Sequence, residues 1–283
     1  MGHSTFIMAD RPKSIALEPR LIEKPWGRTQ IPRMFGPTEG QRIGELWFEQ
    51  PDGHSSPLLV KYIFTSERLS IQVHPDDRQA RERGLPAGKS ECWYVLDADE
   101  GATLGLGLTA DLSADEIHSV ALDGSIERLL HWRPVAAGDF IYVPAGTIHA
   151  IGAGIELLEF QQNSDVTYRL YDYGRPRELH LEEGVAVSLS SYDASSHFRP
   201  AGGPVNTVLA NTPHFSLVRA NSNDAIPVSL SARPRWAMPL HGSVSGDGRS
   251  VDAGGCLLVE AGEPLTVSES SVVLIGAEGP LDS

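Results

Sequence analysis

In LSIQVHPDD, Leu69 to Asp77, an amide and an imidazole stand two residues apart inside an apolar run. At that spacing on a strand Gln72 and His74 share one face, while Leu69, Ile71 and Val73 share the other. A polar pair facing inward suits either two hydrogen-bonded core residues or two ligands of a metal ion. The pair is not alone, because the segment from Gly138 through Pro144 and Gly146 to His149 spells a strand, a tight turn and a histidine delivered by the next strand. Glu91 opens the run ECWYVL and can bring a carboxylate to the same place. Gln72, His74, Glu91 and His149 then offer two neutral imidazoles, one amide oxygen and one carboxylate. Such a set suits zinc or another borderline divalent ion, with a position left for water or substrate. A single carboxylate leaves the ion net positive, a Lewis acid able to polarise a hydroxyl and a carbonyl. With no thiolate among the ligands, the site reads as catalytic and not structural.

Positioning such a site falls to strands. Runs rich in β-branched and aromatic residues, IGELWFE, PLLVKYIF, LSIQVH, ECWYVL, GDFIYVP, HAIGAGIELLEFQ and VTYRLYDY, recur between Gly, Pro and Asp clusters. They predict a barrel or sandwich. Helical patterning is confined to DDRQARERG and SADEIHSVALDGS, where Ser113 and Glu116 have capping-box spacing. From about Ser188 the composition turns to Ser, Ala, Gly and Pro, which suggests two units: residues 1–190 with the metal site, and 191–283 as a second β-barrel. An internal echo supports the division. VAAGDFIYVPAGTIHAI, Val135 to Ile151, aligns without gaps on VDAGGCLLVEAGEPLTV, Val251 to Val267. Leu265 takes the place of His149, so the second barrel is expected to be metal-free, with Leu265 in its core.

Composition excludes several partners. A net charge of -14 repels phosphate backbones and anionic lipid, leaving a small molecule as the expected ligand rather than nucleic acid or membrane. Cys92 and Cys256 both lie in apolar runs, and no signal peptide or long apolar segment is present, so two buried free thiols in a reducing cytoplasm are expected.

The Gly138–His149 spacing is that of the second metal motif of cupins, with Ala153 where an asparagine often completes it. LSIQVHPDD, GKSECWYVL, GDFIYVPAGTIHAIG and ELLEFQQNSDVTYRLYDYGRPRELH, in that order, resemble the type I mannose-6-phosphate isomerases, in the short bacterial form without a large helical insertion. The resemblance runs from EKPWG at Glu23 to about Gly184 and more weakly beyond. It implies a mainly β fold of double-stranded β-helix (cupin, jelly-roll) barrels with a few peripheral helices. It also implies one zinc per chain on the same four residues, and interconversion of mannose 6-phosphate and fructose 6-phosphate through a cis-enediol. Arg169, in the YRLYD block, and Lys89, two before Glu91, match family positions assigned to catalysis. Lys61 and Ser70 match substrate positions suited to a phosphate or a sugar hydroxyl, and Glu159 and Asp165 are carboxylates available to the substrate or as a base. GELWFEQPDG departs from the family's usual Trp-Glu-Ile-Ser ending, so the resemblance does not fix the pocket rim or the exact sugar. Two other classes share parts of the pattern: a cupin dioxygenase, against which Gln72 and the nearby Lys and Arg argue, and a non-catalytic sugar-binding cupin, against which Lys89, Glu91 and Arg169 argue. His54, His118, His131, His180, His197 and His214 are expected to lie outside the chemistry, and Trp26 and Trp93 to form core or pocket wall.

Overall fold

The computed structural model describes residues 12–50, 56–189, 191–192 and 197–282. His54 and Ser190, the last residue of the expected first unit, fall outside them. The described residues form layers. A five-stranded antiparallel sheet runs in the order Tyr168–Tyr171, Ile71–Val73, His149–Ile151, Thr103–Leu108, Leu130–Pro134. Facing it is a seven-stranded sheet in the order Phe198–Arg199, Phe140–Val143, Glu91–Ala98, Ile155–Gln162, Leu58–Phe64, Ile43–Phe48, Pro19–Arg28. A six-stranded sheet covers the back of the second, and a three-stranded sheet closes the far side.

Strand alternation explains the order of layers. In LLVKYIF every residue is buried, because this strand is covered on both faces. Leu58, Val60, Tyr62 and Phe64 join Cys92, Tyr94, Leu158 and Phe160 on the outer face, packed against Phe215, Leu217, Trp236 and Leu274 of the six-stranded sheet. Ile63 turns the other way, with Trp93, Val95 and Leu157, to meet Leu104, Leu106 and Ile151 across the barrel interior. Period two therefore sends Lys61, Glu91 and Glu159 into that interior with their apolar neighbours. The outer face of the five-stranded sheet is covered by the helices Ala114–Asp123 and Leu181–Val187 through Ile71, Val73, Ile117, Ala121 and Val187. Ser113 and Glu116 form the expected capping box, and Asp76 forms a second one with Gln79 at the head of Asp77–Glu82. The fold is mainly β, a cupin barrel with peripheral helices. Both cysteines are buried and unpaired.

At the contact between the seven- and six-stranded sheets, Phe160 meets Phe215 edge-on at 5.4 Å and lies over Gly276, where an added Cβ would collide with its ring. Gly276→Ala is expected to lower stability by about 1–3 kcal/mol, the cost of overpacking a filled layer. Urea unfolding measures it; an unchanged midpoint would show that the aromatic layer slides freely.

The echo in the sequence has a structural counterpart. Phe140–Val143 and His149–Ile151 align with the strands Leu257–Val259 and Thr266–Val267, and the paired glycines Gly138/Gly254 and Gly146/Gly262 all have positive φ, at 93°/88° and 86°/79°. Leu265 packs on the core between the six- and three-stranded sheets but is only partly buried, less enclosed than expected. The strand Ser14–Ala16 pairs with Leu257–Val259 and Ser14 Oγ donates to the Gly246 carbonyl at 2.5 Å, so the start of the described chain belongs to the C-terminal sheet.

Candidate active site

Two rows of side chains meet inside the barrel. Across the five-stranded sheet His149 lies opposite Gln72, and Gln72 opposite Arg169. His180 continues that row: its N–H donates to the Arg169 carbonyl at 2.8 Å, and the Arg169 N–H donates to its Nδ1 at 3.3 Å. Across the seven-stranded sheet Trp47 pairs with Lys61, Lys61 with Glu159, and Glu159 with Trp93. Glu91 enters from the first position of its strand, beside Gln161.

His74, Glu91 and His149, all buried, bring ligand atoms within 4.8 Å of one another. The His74 Nδ1–H donates to the Val166 carbonyl at 2.8 Å and the His149 Nδ1–H to the Thr147 carbonyl at 2.9 Å. Both rings are thus fixed in the tautomer that leaves the Nε2 lone pair facing Glu91. Burial, with Lys89 and His149 adding their charge, pushes the His74 pKa well below the usual imidazole value. Burial takes His149 down to about 4 against the pull of the Thr147 carbonyl. Both are neutral near pH 7, as metal ligands must be. The Nε2 atoms stand 3.5 Å and 3.4 Å from the two Glu91 oxygens. Ligands about 2.1 Å from one ion at a tetrahedral angle stand about 3.4 Å apart, so this spacing fits a zinc-sized ion. Neither Glu91 oxygen, though buried, has a hydrogen bond of good geometry. A buried carboxylate so poorly hydrogen-bonded calls for a cation.

Gln72 fits with one adjustment. Its Nε2–H donates to His149 Nε2 at 3.3 Å while Ser70 Oγ–H donates to its Oε1 at 3.2 Å, so as a ligand the amide turns over to present its oxygen. The Lys89 ammonium now supplies the positive charge, 2.8 Å from Glu91 Oε2 and donating to His74 Nε2 at 3.2 Å. Burial works against that charge, but Glu91 and Glu159 outweigh it and hold the Lys89 pKa above its ordinary value.

Beside this group lies a cleft of about 210 Å3 lined by Lys61, Ser70, Gln72, Lys89, Glu159, Asp165 and Arg169, all expected from the sequence. Glu159 is gripped from three sides, by Lys61 at 3.6 Å, Lys89 at 3.9 Å and the Trp93 indole N–H at 3.0 Å. The ammonium of Lys61 also lies 4.4 Å from the centre of the Trp47 ring. Arg169 forms no ion pair among the described residues, and its buried Nε has no acceptor, so the surface pairing that Asp165 or Asp172 could offer is not made. Asp165 is exposed at the rim. The cleft also holds residues the sequence reading passed over: Lys24, Glu45, Arg177 and His180, with Trp26 as wall. His180 lies in a loop, as expected, and lines the cleft. EKPWG and RELH, the blocks that carry Lys24 and His180, were visible, but neither spells a chemistry alone. His118 instead pairs with Glu182 and His214 with Asp77, away from the cleft.

Two imidazoles and a carboxylate at the mouth of a β-barrel, flanked by buried lysines, define a metal-dependent cupin. No family model matches the chain. Similarity to individual proteins is extensive. The chain is 33% identical to the probable mannose-6-phosphate isomerase GmuF of Bacillus subtilis, over 84% of its own length and 88% of that protein's. It is 36% identical to the mannose-6-phosphate isomerase ManA of Bacillus subtilis, over 76% and 72% of the two lengths. With the Streptococcus mutans mannose-6-phosphate isomerase identity is 39%, over 70% of this chain and 66% of that one. The crystal structure of the Bacillus subtilis mannose 6-phosphate isomerase superposes with a TM-score of 0.74 at 26% identity, covering 93% of this chain and 99% of that one. The chain belongs to the mannose-6-phosphate isomerase family.

Proposed function

We propose that the protein is a zinc-dependent aldose–ketose isomerase that interconverts mannose 6-phosphate and fructose 6-phosphate. The observation that carries this reading is Glu91: a buried carboxylate whose oxygens meet only the Lys89 ammonium and two imidazole lone pairs at ligand spacing, in a chain of this family. His74, Glu91 and His149, with Gln72 turned over, would hold one zinc. When bound, the zinc supplies the Lewis acidity that makes the proton beside the sugar carbonyl removable.

The protein's own residues do the rest. Lys89, between Glu91 and Glu159, stands at the metal group as a proton donor to a sugar oxygen. Arg169, unpaired and in register with Gln72, faces the negative charge that grows as the cis-enediol forms. Lys61, Ser70, Glu159 and Asp165 bind and orient the sugar, and Glu159, fixed from three sides, has the rigidity that positioning requires. Residues 1–190 form the catalytic unit and 191–283 a supporting barrel that holds no metal, with the strands Ser14–Ala16 and Phe198–Arg199 each paired in the other unit's sheet. The cationic side chains of the cleft fit a small sugar phosphate as partner, the net charge disfavours nucleic acid and anionic membrane, and the two buried thiols fit a reducing cytoplasm. No helix among the described residues is long and apolar enough to cross a membrane.

Metal analysis of the purified protein, beside a coupled assay with mannose 6-phosphate, tests the reading. About one zinc per chain and turnover that a chelator abolishes are expected. Two ions per chain would overturn the metal-free second barrel, and zinc-loaded protein without turnover would overturn the isomerase.

A further inference from the structure

Five cationic side chains line the cleft: Lys24, Lys61, Lys89, Arg169 and Arg177. Each lysine is already matched to a carboxylate, Lys24 to Glu45 at 3.3 Å, Lys61 to Glu159 at 3.6 Å and Lys89 to Glu91 at 2.8 Å. Neither arginine has a carboxylate to itself. Arg169 has no carboxylate within 4.0 Å among the described residues and an orphaned Nε. Arg177 gives Nε and one terminal N–H to the two oxygens of Asp172, both at 2.6 Å, and its other terminal nitrogen has no acceptor among the described residues. Asp172 is only 2% exposed and also accepts from Arg175 at 3.0 Å, so one carboxylate serves two guanidinium groups.

We propose that the phosphate of the substrate sits at the Arg177 end of the cleft, with Arg177 as the residue that separates phosphorylated from free sugar and Asp172 as the group that aims it, while Arg169 serves the reacting carbons. This rests on the sugar-phosphate isomerase reading above. A dianion entering the cleft finds the lysines neutralised and the surplus charge at the arginines. The fork of Arg177 is fixed in plane by two parallel bonds to a buried carboxylate, which leaves its remaining N–H groups oriented before any ligand arrives. Arg177 and Arg169 feel each other: after burial, the charge of Arg177 is the largest cause holding the Arg169 pKa below its usual value, with Asp172, Asp165 and Glu178 acting the opposite way. The scale also fits. His149, Gln72 and Arg169 stand on successive strands, so about 10 Å of backbone separates the metal end from the chain that leads on to Arg177, comparable to an extended six-carbon phosphate ester, while the Arg169 side chain shares the cleft with Gln72.

The test uses the zinc-loaded full-length protein, steady-state kinetics with mannose 6-phosphate and with mannose, and calorimetric binding of inorganic phosphate. Arg177→Ala is expected to weaken phosphate binding about 10- to 100-fold, the loss of charge-assisted hydrogen bonds. It should lower kcat/KM for the phosphorylated sugar by a similar factor more than for the free sugar, mostly through KM. Arg177→Lys, which keeps the charge and loses the fork, should fall between. If Arg177→Ala does not fold because Asp172 is stranded, the double variant Arg177→Ala/Asp172→Asn removes the buried charge and is read in the same way. Wild-type phosphate affinity in the folded variant, or an equal loss of kcat with both sugars, overturns the proposal. Wild-type protein that binds phosphate through Arg177 but turns over neither sugar would instead sink the isomerase reading and leave this site standing.

Discussion

Replacing Glu91 by Gln, or His149 by Ala, removes the metal and the isomerase activity together from a chain that stays folded. Glu91 is the single carboxylate of the ligand group, and its neutral isostere loses the charge that pairs with a divalent ion while filling the same space. His149 is held by its Nδ1–H on the Thr147 carbonyl, so truncation removes an aimed lone pair and leaves a pocket the other ligands cannot close. Lewis-acid stabilisation amounts to several kcal/mol, so activity should fall on the order of 10³-fold or more. Folding should survive, because the three ligands lie at the end of the barrel interior while its core is built from Trp93, Val95, Leu104, Leu157 and their neighbours. Glu91→Gln is the gentler variant, since Lys89 keeps an oxygen to donate to at a site now 2.8 Å away. Elemental analysis, the coupled assay and thermal unfolding on the same preparations read all three quantities. A full complement of zinc in either variant would remove that residue from the ligand group.

Arg169→Ala, by contrast, keeps its zinc and loses turnover. Loss of one preorganised charge-stabilising group costs on the order of 10²- to 10³-fold in kcat, with a smaller rise in KM if the charge it meets exists mainly in the transition state. The geometry favours that outcome. Arg169 is half-buried, opposite Gln72 in register, and spends no charge on a protein carboxylate. Its backbone is fixed from both sides by His180, so truncating the side chain leaves the strand pairing intact. Steady-state kinetics and metal content decide it; a rise in KM alone would move Arg169 from the chemistry to substrate capture.

Much of this site was legible because alternation on a strand is a local rule. LSIQVH and ECWYVL announce which residues share a face, and a lysine in LLVKYIF can be tolerated only where an anion waits, which is where Glu159 stands. The two edges of the pattern were harder. Pro19–Arg28, with prolines at positions 19 and 25, does not read as a strand; it can be one because it lies at the edge of its sheet. TLGLGL lacks β-branched residues beyond its first, and its glycines fit because Leu130 and Trp132 press on Gly105 and Tyr192 on Gly107. Arg177 and His180 were hidden for another reason. Their place in the cleft depends on how the segment after Tyr168–Tyr171 folds back through Asp172, a tertiary fact with no periodicity to reveal it.

The pairing of Ser14–Ala16 with Leu257–Val259 has a bearing on how the chain is made. Ser14 and its partner Gly246 are 232 residues apart, so at about 5–20 residues per second the first strand leaves the ribosome roughly 10 to 50 s before the backbone it must bond to exists. Until the six-stranded sheet is complete, the apolar back of the seven-stranded sheet, Val60, Tyr62, Phe64 and Phe160 among others, lacks part of its cover, Leu258 and Leu274 being made after Gly246. Nascent chains stalled before residue 257 should therefore bind chaperones that recognise exposed apolar surface, and release from them should coincide with completion of the final strand and not with assembly of the metal ligands, the last of which, His149, is synthesised much earlier.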